Sequence, residues 1–104
     1  MPSARRGEVW FVDLGFALKA RPCLLLEDSP REDEKQLITV VAHTTSLRGE
    51  RWEHPCPKPF LKAGAFHLQD VHSIPVVKLE RRLGELTAAE MDRLCKNLHE
   101  KLRL

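Results

Sequence analysis

Arg21, directly before Pro22, can hold an anion in a fixed direction. A guanidinium is a planar fork that grips two oxygens at once, which the point charge of a lysine does not. A second concentration of reactive groups is His43-Thr44-Thr45-Ser46, an imidazole followed by three hydroxyls. A hydroxyl donates to an oxyanion without adding charge, and imidazole exchanges protons near neutral pH. His67 and His72 add two imidazoles around Gln69 and Asp70. Lys19, Arg48 and Arg51 bring positive charge to the flanks, and Trp52 offers a flat face for stacking. Together such a set can bind an anion and move a proton beside it.

Each member also has an ordinary structural use. A lone arginine at a strand edge is usually solvated, and strand histidines and tryptophans commonly pack against the core. Hydroxyls at a strand end often bond to turn backbone. His43 and Thr44 are sequence neighbours, so an ideal strand would point them to opposite faces. Aiming both at one anion requires a bulge or a strand end.

Metal chemistry finds little support. Cys23, Cys56 and Cys95 are odd in number and unrelated in spacing, unlike a disulfide framework or paired C-x-x-C zinc ligands. His54 and Cys56 have no second pair at ligand spacing. We therefore expect no metal, no cofactor and no disulfide.

The elements that must position these groups are mostly strands. Residues 8–14 (EVWFVDL) are β-branched and aromatic between Gly7 and Gly15. Residues 22–26 read as a buried strand starting at its proline, and residues 37–42 as a third strand running into the His43–Ser46 cluster. The charged stretch 27–36 is a solvated hairpin loop. A short strand is expected around Arg51-Trp52-Glu53, ended by Pro55, Pro57 and Pro59, which lack the ladder donor. Ala65 to Val71 and Ile74 to Leu79 read as two strands broken near Ser73 and Pro75, with a weaker one at residues 83–86.

One helix is predicted, at the end. Thr87-Ala88-Ala89-Glu90 is a capping box, with Leu86 and Met91 placed as a hydrophobic staple. Met91, Leu94, Cys95, Leu98 and Leu102 then recur at three- and four-residue steps as one apolar stripe. Strands followed by a single helix, without βαβ alternation, predict a mainly β fold: a small, strongly curved antiparallel sheet with a C-terminal α-helix.

Composition sets the outer limits. The 104 residues suit a single domain spanning 1–104. Positive and negative side chains number 17 and 15, spread over both halves, so the chain is no polycation that coats nucleic acid indiscriminately. An apolar share of 42% with low net charge excludes a disordered chain. Neither a secretory h-region nor a run of about 20 apolar residues is present, so a cytoplasmic protein is expected.

Five segments in order resemble the MazF/PemK family of toxin-antitoxin endoribonucleases. Arg6-Gly7-Glu8-Val9-Trp10 through Asp13-Leu14 is similar to its opening R-G-[DE]-[IV]-W…D-L. Arg21-Pro22-Cys23-Leu24-Leu25-Leu26 matches R-P-x-L-[IV]-[IV]. Val41-Ala42-His43-Thr44-Thr45-Ser46 looks like V-P-x-T-[ST], and Arg48-Gly49 continues a subgroup pattern. Gln69-Asp70-Val71-His72-Ser73-Ile74 is similar to D-Q-I-R-T-[IV], and Arg81-Arg82-Leu83-Gly84-Glu85-Leu86-Thr87 to the segment before the family's last helix.

The resemblance implies an SH3-like barrel of the CcdB/MazF/Kid toxin type, paired as a homodimer. It also implies metal-independent, sequence-selective, ribosome-independent cleavage of single-stranded RNA. In that reaction the ribose 2′-OH attacks the adjacent phosphate, leaving a 2′,3′-cyclic phosphate and a 5′-OH. The expected partner is a cognate antitoxin with an acidic, partly disordered tail. By this likeness Arg21 and Thr44 are catalytic, with His43 and His67 as candidates for proton transfer. Lys19, Thr45, Ser46, Arg48, Arg51, Trp52, Gln69 and Asp70 would border the RNA.

Two departures stand out. One branch of the family uses an arginine and an aspartate at the positions of His67 and Gln69, and Gln69 cannot act as a base. The first loop, Phe16-Ala17-Leu18-Lys19-Ala20, also lacks that branch's G-H-E-Q, so the general base stays unassigned. The alternatives on the same fold are a non-catalytic CcdB-like gyrase-binding toxin and an inactive RNA-binding regulator.

Overall fold

The β-branched segments pair into one sheet. The structure, a computed structural model, describes residues 3–15 and 19–104. Its strands are β1 (Glu8–Asp13), β2 (Ala20–Leu25), β3 (Leu37–Thr44), β4 (Glu53–His54), β5 (Ala65–Pro75) and β6 (Leu79–Glu85), followed by the helix α1 (Ala88–Leu102). They form an antiparallel sheet in the order β4-β5-β3-β2-β1-β6. Among the described residues no helix is long and apolar enough to cross a membrane.

Both faces of the central strands are buried, which is why β2 and β3 read as continuous apolar runs. One face gathers Trp10, Val12, Leu25, Ile38, Ile74 and Leu79 into a single cluster. Leu79 belongs to edge strand β6 and Ile74 to β5, four places away in the sheet, so the sheet curls round this cluster. Ladder irregularities in the β1–β6 and β3–β5 pairs accompany the curl. This is the strongly curved antiparallel sheet expected from the residues. The other face packs Val9, Leu24, Val41 and Phe66 beneath Met91, Leu94 and Leu98 of α1.

The helix starts as predicted. Thr87 Oγ1 accepts from the Glu90 N–H at 3.1 Å, and Glu90 Oε1 accepts from the Thr87 N–H at 2.8 Å. Leu86 and Met91 are both buried beside that cap. Leu102, the last member of the stripe, is half exposed and does not join the core.

Several strand limits differ from the sequence reading. β5 runs unbroken through Ser73 to Pro75, and the break falls at a single 3-10 turn, Val76–Lys78. Ser73 and Ile74 pair with Thr39 and Ile38, while Pro75 closes the ladder opposite Leu37. The missing N–H therefore falls at the strand end, where it breaks no interior pair. The expected strand 74–79 is thus the end of β5, the turn and the first residue of β6; the strand at 83–86 is the end of β6. β2 begins at Ala20, two residues before Pro22, because Arg21 and Ala20 pair with Val12 and Asp13 of β1. The ladder to β3 starts only at Cys23. The short strand near residue 52 lies at Glu53–His54.

Candidate active site

Arg21 and Thr44 meet where β2 and β3 part. The last pair of that ladder is Cys23 with Ala42, and Arg21 and Thr44 each lie two residues further on, on the same face. Facing them is an irregular stretch of β5. From Val41 to His43 the chain takes two steps on β3, while its partners run five, from Val71 to Phe66. Of the surplus residues Leu68 stays in the helix-side core, while the neighbours Gln69 and Asp70 both border the same recess.

Two adjoining recesses open here. The larger, about 540 Å³, is bordered by Lys19, Arg21, Thr44, Phe60, Lys62 and Arg81 among others. The second, about 450 Å³, shares Arg21, Thr44 and Ser46 and adds Arg48, Glu50, Glu53, His67, Gln69 and Asp70. Two glycines bring the walls together. A side chain at Gly64 would strike the Thr44 carbonyl oxygen at 2.1 Å, and one at Gly84 would enter the Phe60 ring at 2.4 Å. Phe60 thus lies against β6 and holds the segment after β4 over the larger recess.

The polar groups are specifically engaged. Arg21 Nη1 lies 3.7 Å from Asp70 Oδ2, with both side chains about one-third exposed, and His72 Nε2 contacts the other Asp70 oxygen. Beneath them burial pushes the Cys23 thiol up to about 12, aided by the Asp70 charge, so Cys23 is inert filling. Thr44 Oγ1 accepts from the Ser46 N–H at 3.0 Å. That bond uses a lone pair and leaves the hydroxyl proton free to donate.

His43 has 5% of its surface exposed and packs edge-on against Phe66 at 5.1 Å between ring centres. Burial holds its pKa below the usual imidazole range. At the end of β3, His43 and Thr44 both line the larger recess, the His43 ring being largely buried against Phe66. His67 borders the smaller recess, with its Nε2 2.9 Å from Glu50 Oε2 and its Nδ1 buried without a partner.

Glu53 shapes the turn that presents Glu50. Its carboxylate accepts from the backbone N–H groups of Arg48, Gly49 and Glu50 at 2.8, 2.9 and 3.1 Å. These bonds, that from Arg48 foremost, hold its pKa below the usual carboxylate value. Glu50, Glu53 and His67 each offer one ligand atom within 4.8 Å of the others, the donor set by which this chain could hold a metal.

Residues 5–102 match the family of PemK-like, MazF-like toxins of type II toxin-antitoxin systems. The chain belongs to this family. A probable endoribonuclease, MazF5, of Mycobacterium tuberculosis is 30% identical over 93 residues, covering 86% of this chain and 84% of that protein. An endoribonuclease in complex with its cognate antitoxin, from a mycobacterial species, superposes with a TM-score of 0.79 at 26% identity over 98% and 97% of the two chains. MazF from Deinococcus radiodurans reaches 0.80 at 16% identity with both chains covered fully, a likeness of fold.

In this MazF-like chain, Arg21, Thr44, Ser46, Arg48, His67, Gln69 and Asp70 come together around the smaller recess. Lys19, His43 and Thr45 border the larger one. Arg51 and Trp52 turn elsewhere: the Arg51 guanidinium lies over the Trp52 ring at 4.4 Å and pairs with Glu100 of α1 at 2.9 Å. Trp52 packs against the helix-side core. Phe16, Ala17 and Leu18 of the first loop lie outside the described residues.

Sequence reasoning missed Glu50, Phe60, Lys62 and Arg81. Glu50 sits in a charged turn with no spacing signal of its own. The other three reach the site only because the curled sheet brings β6 and the segment after β4 together.

Proposed function

We propose that this MazF-like protein is a toxin that cleaves single-stranded RNA without a metal. The observation that carries this reading is the placement of Arg21 and Thr44 side by side on the floor shared by both recesses. A phosphodiester lying there meets the Arg21 fork on its non-bridging oxygens and the Thr44 hydroxyl as a neutral donor. As the ribose 2′-oxygen bonds to phosphorus, negative charge builds on those oxygens, and both groups stabilise it more than the starting ester. The products are a 2′,3′-cyclic phosphate and a 5′-OH. Lys19, Arg48, Lys62 and Arg81 border the path of the neighbouring nucleotides, where they add attraction to the backbone and Thr45, Ser46 and Gln69 add hydrogen-bonding selectivity.

An acidic antitoxin tail can occupy the larger recess, where Lys19, Arg21, Lys62 and Arg81 supply positive charge, in line with the antitoxin-bound mycobacterial relative. Leu37 and Val71, both partly exposed on one face of the β3–β5 pair, support assembly as a homodimer. Such a toxin would work in the cytoplasm, where its RNA is.

The test is incubation of the purified protein with long single-stranded RNA in EDTA, followed by mapping of the new ends. We expect 5′-OH ends at a restricted set of sequences, lost in Arg21→Ala. RNA left intact across varied sequences refutes the proposal. Inhibition of DNA gyrase in the same preparation would transfer it to the CcdB-like alternative.

A further inference from the structure

We propose that Glu50 is the general base of the RNA-cleaving reaction and that His67 positions it; this rests on the function proposed above. Gln69 cannot accept the 2′-OH proton, so another group at the recess must.

Three carboxylates border the smaller recess, and their hydrogen bonds separate them. Glu53 is engaged by three backbone N–H groups. Asp70 is divided between Arg21 and His72. Glu50 accepts from His67 through Oε2 alone, and its Oε1 has no partner among the described residues. Its side chain is 39% exposed, open to a ligand in the recess. Of the three, it is the carboxylate with a free oxygen in the recess that Arg21 and Thr44 also line.

His67 explains how an exposed glutamate holds one orientation. The Nδ1 atom is buried and unpartnered, so a proton there would be stranded away from water, whereas on Nε2 it is donated to Glu50. Between the two tautomers, the surroundings therefore favour the one with its proton on Nε2. The turn below is fixed by Glu53, which gathers the N–H groups of residues 48–50. Glu50 is thus held from two sides, by a ring on β5 and by its own turn.

The step balances simply. Glu50 Oε1 takes the proton of the ribose 2′-OH while the 2′-oxygen forms a bond to phosphorus. The bond from phosphorus to the 5′-oxygen breaks, its electron pair stays on that oxygen, and water in the open groove protonates it. Glu50 afterwards returns its proton to solvent. Arg21 and Thr44 hold the non-bridging oxygens throughout.

The experiment is single-turnover cleavage of an end-labelled single-stranded RNA in EDTA at neutral pH, with a folding check by circular dichroism. Glu50→Gln should lose about 10²- to 10⁴-fold in the cleavage rate, the usual contribution of a positioned base, with RNA affinity unchanged within about threefold. The charged and titratable groups lining the recess with Glu50 are His67 and Asp70 from β5, Arg21 from β2, Arg48 from its own turn and Glu53 from β4, and Glu50→Gln leaves all of them in place. His67→Ala should slow cleavage, and His67→Gln, which restores an N–H donor at similar reach, should recover most of the rate.

A folded Glu50→Gln protein that cleaves at the wild-type rate overturns the assignment of Glu50 while leaving the RNA-cleaving function intact. Equal loss in His67→Ala and His67→Gln overturns the positioning role. Failure of the wild-type protein to cleave any RNA overturns both the function and this inference.

Discussion

Arg21 and Asp70 face each other across two strands, with 3.7 Å between guanidinium nitrogen and carboxylate oxygen. Both are partly solvated, and such a pair holds its arginine with a stabilisation of no more than about 1 kcal/mol. An incoming phosphate can therefore take the place of Asp70 as counter-ion at little cost. In Asp70→Asn we expect tighter binding of a non-cleavable 2′-O-methyl oligonucleotide, by up to about fivefold from that energy. Fluorescence anisotropy at fixed salt measures it, and unchanged or weaker binding would show that Asp70 holds Arg21 in place rather than competing with RNA.

Close approach at Gly64 is a backbone constraint. A Cβ there would lie 2.1 Å from the Thr44 carbonyl oxygen and 2.9 Å from the His43 ring, so Gly64→Ala must part β3 from β5 at the end that presents Thr44. Overpacking of this kind costs about 1–3 kcal/mol. We expect a lowered denaturation midpoint together with a slowed cleavage rate, the two moving in the same variant.

Lys58 and Glu90 form a largely buried pair at 2.8 Å, and the Lys58 hydrogen bond, with that from the Thr87 backbone, brings the Glu90 pKa down to about 2 from 4.5. A carboxyl group whose folded pKa is depressed stabilises the protein fully above the unfolded value. That contribution is lost as pH falls from about 4.5 towards 2. Glutamine keeps the reach of the capping box but not the charge, so Glu90→Gln should cost about 1.5–3 kcal/mol at pH 7. Urea titrations should show the difference from wild type shrinking towards zero near pH 2; a difference independent of pH would contradict the assignment.

His43 carries the opposite burden at mild acidity. Its folded pKa is depressed by burial, so below the ordinary 6.5 the unfolded chain binds a proton that the folded one resists. Stability is complete above that value and falls as pH drops through it. His54 shares the sign: burial and nearby Arg93 lower its pKa, and its Nδ1 accepts from Asn97 Nδ2 at 2.9 Å. In His43→Gln, the pH dependence of stability between 5 and 6.5 should flatten by up to one proton per molecule.

Much of the architecture was legible as one-dimensional pattern. Val-, Leu- and Ile-rich runs marked β2 and β3 because strands buried on both faces have no polar alternation to display. The Thr87 capping box marked the start of α1 because its bonds span only three residues. Pro75 misled, since a proline ends a strand or sits harmlessly at its last pair depending on which partner the neighbouring strand supplies. Glu50 was invisible for a similar reason: its meaning comes from a histidine brought to it by the fold.

The sequence by itself determined the β-rich class, the terminal helix and the pairing of an arginine strand with a hydroxyl-ended strand, because local propensity and motif order encode them. Only the tertiary structure decided that β6 curls back to meet Phe60, and that His43 packs against Phe66 while the β5 bulge brings Gln69 and Asp70 to one recess. It alone left Glu50, of the three carboxylates at the smaller recess, with an oxygen that has no partner among the described residues. Those outcomes depend on register and sheet curvature, which arise from pairing between residues far apart in the chain.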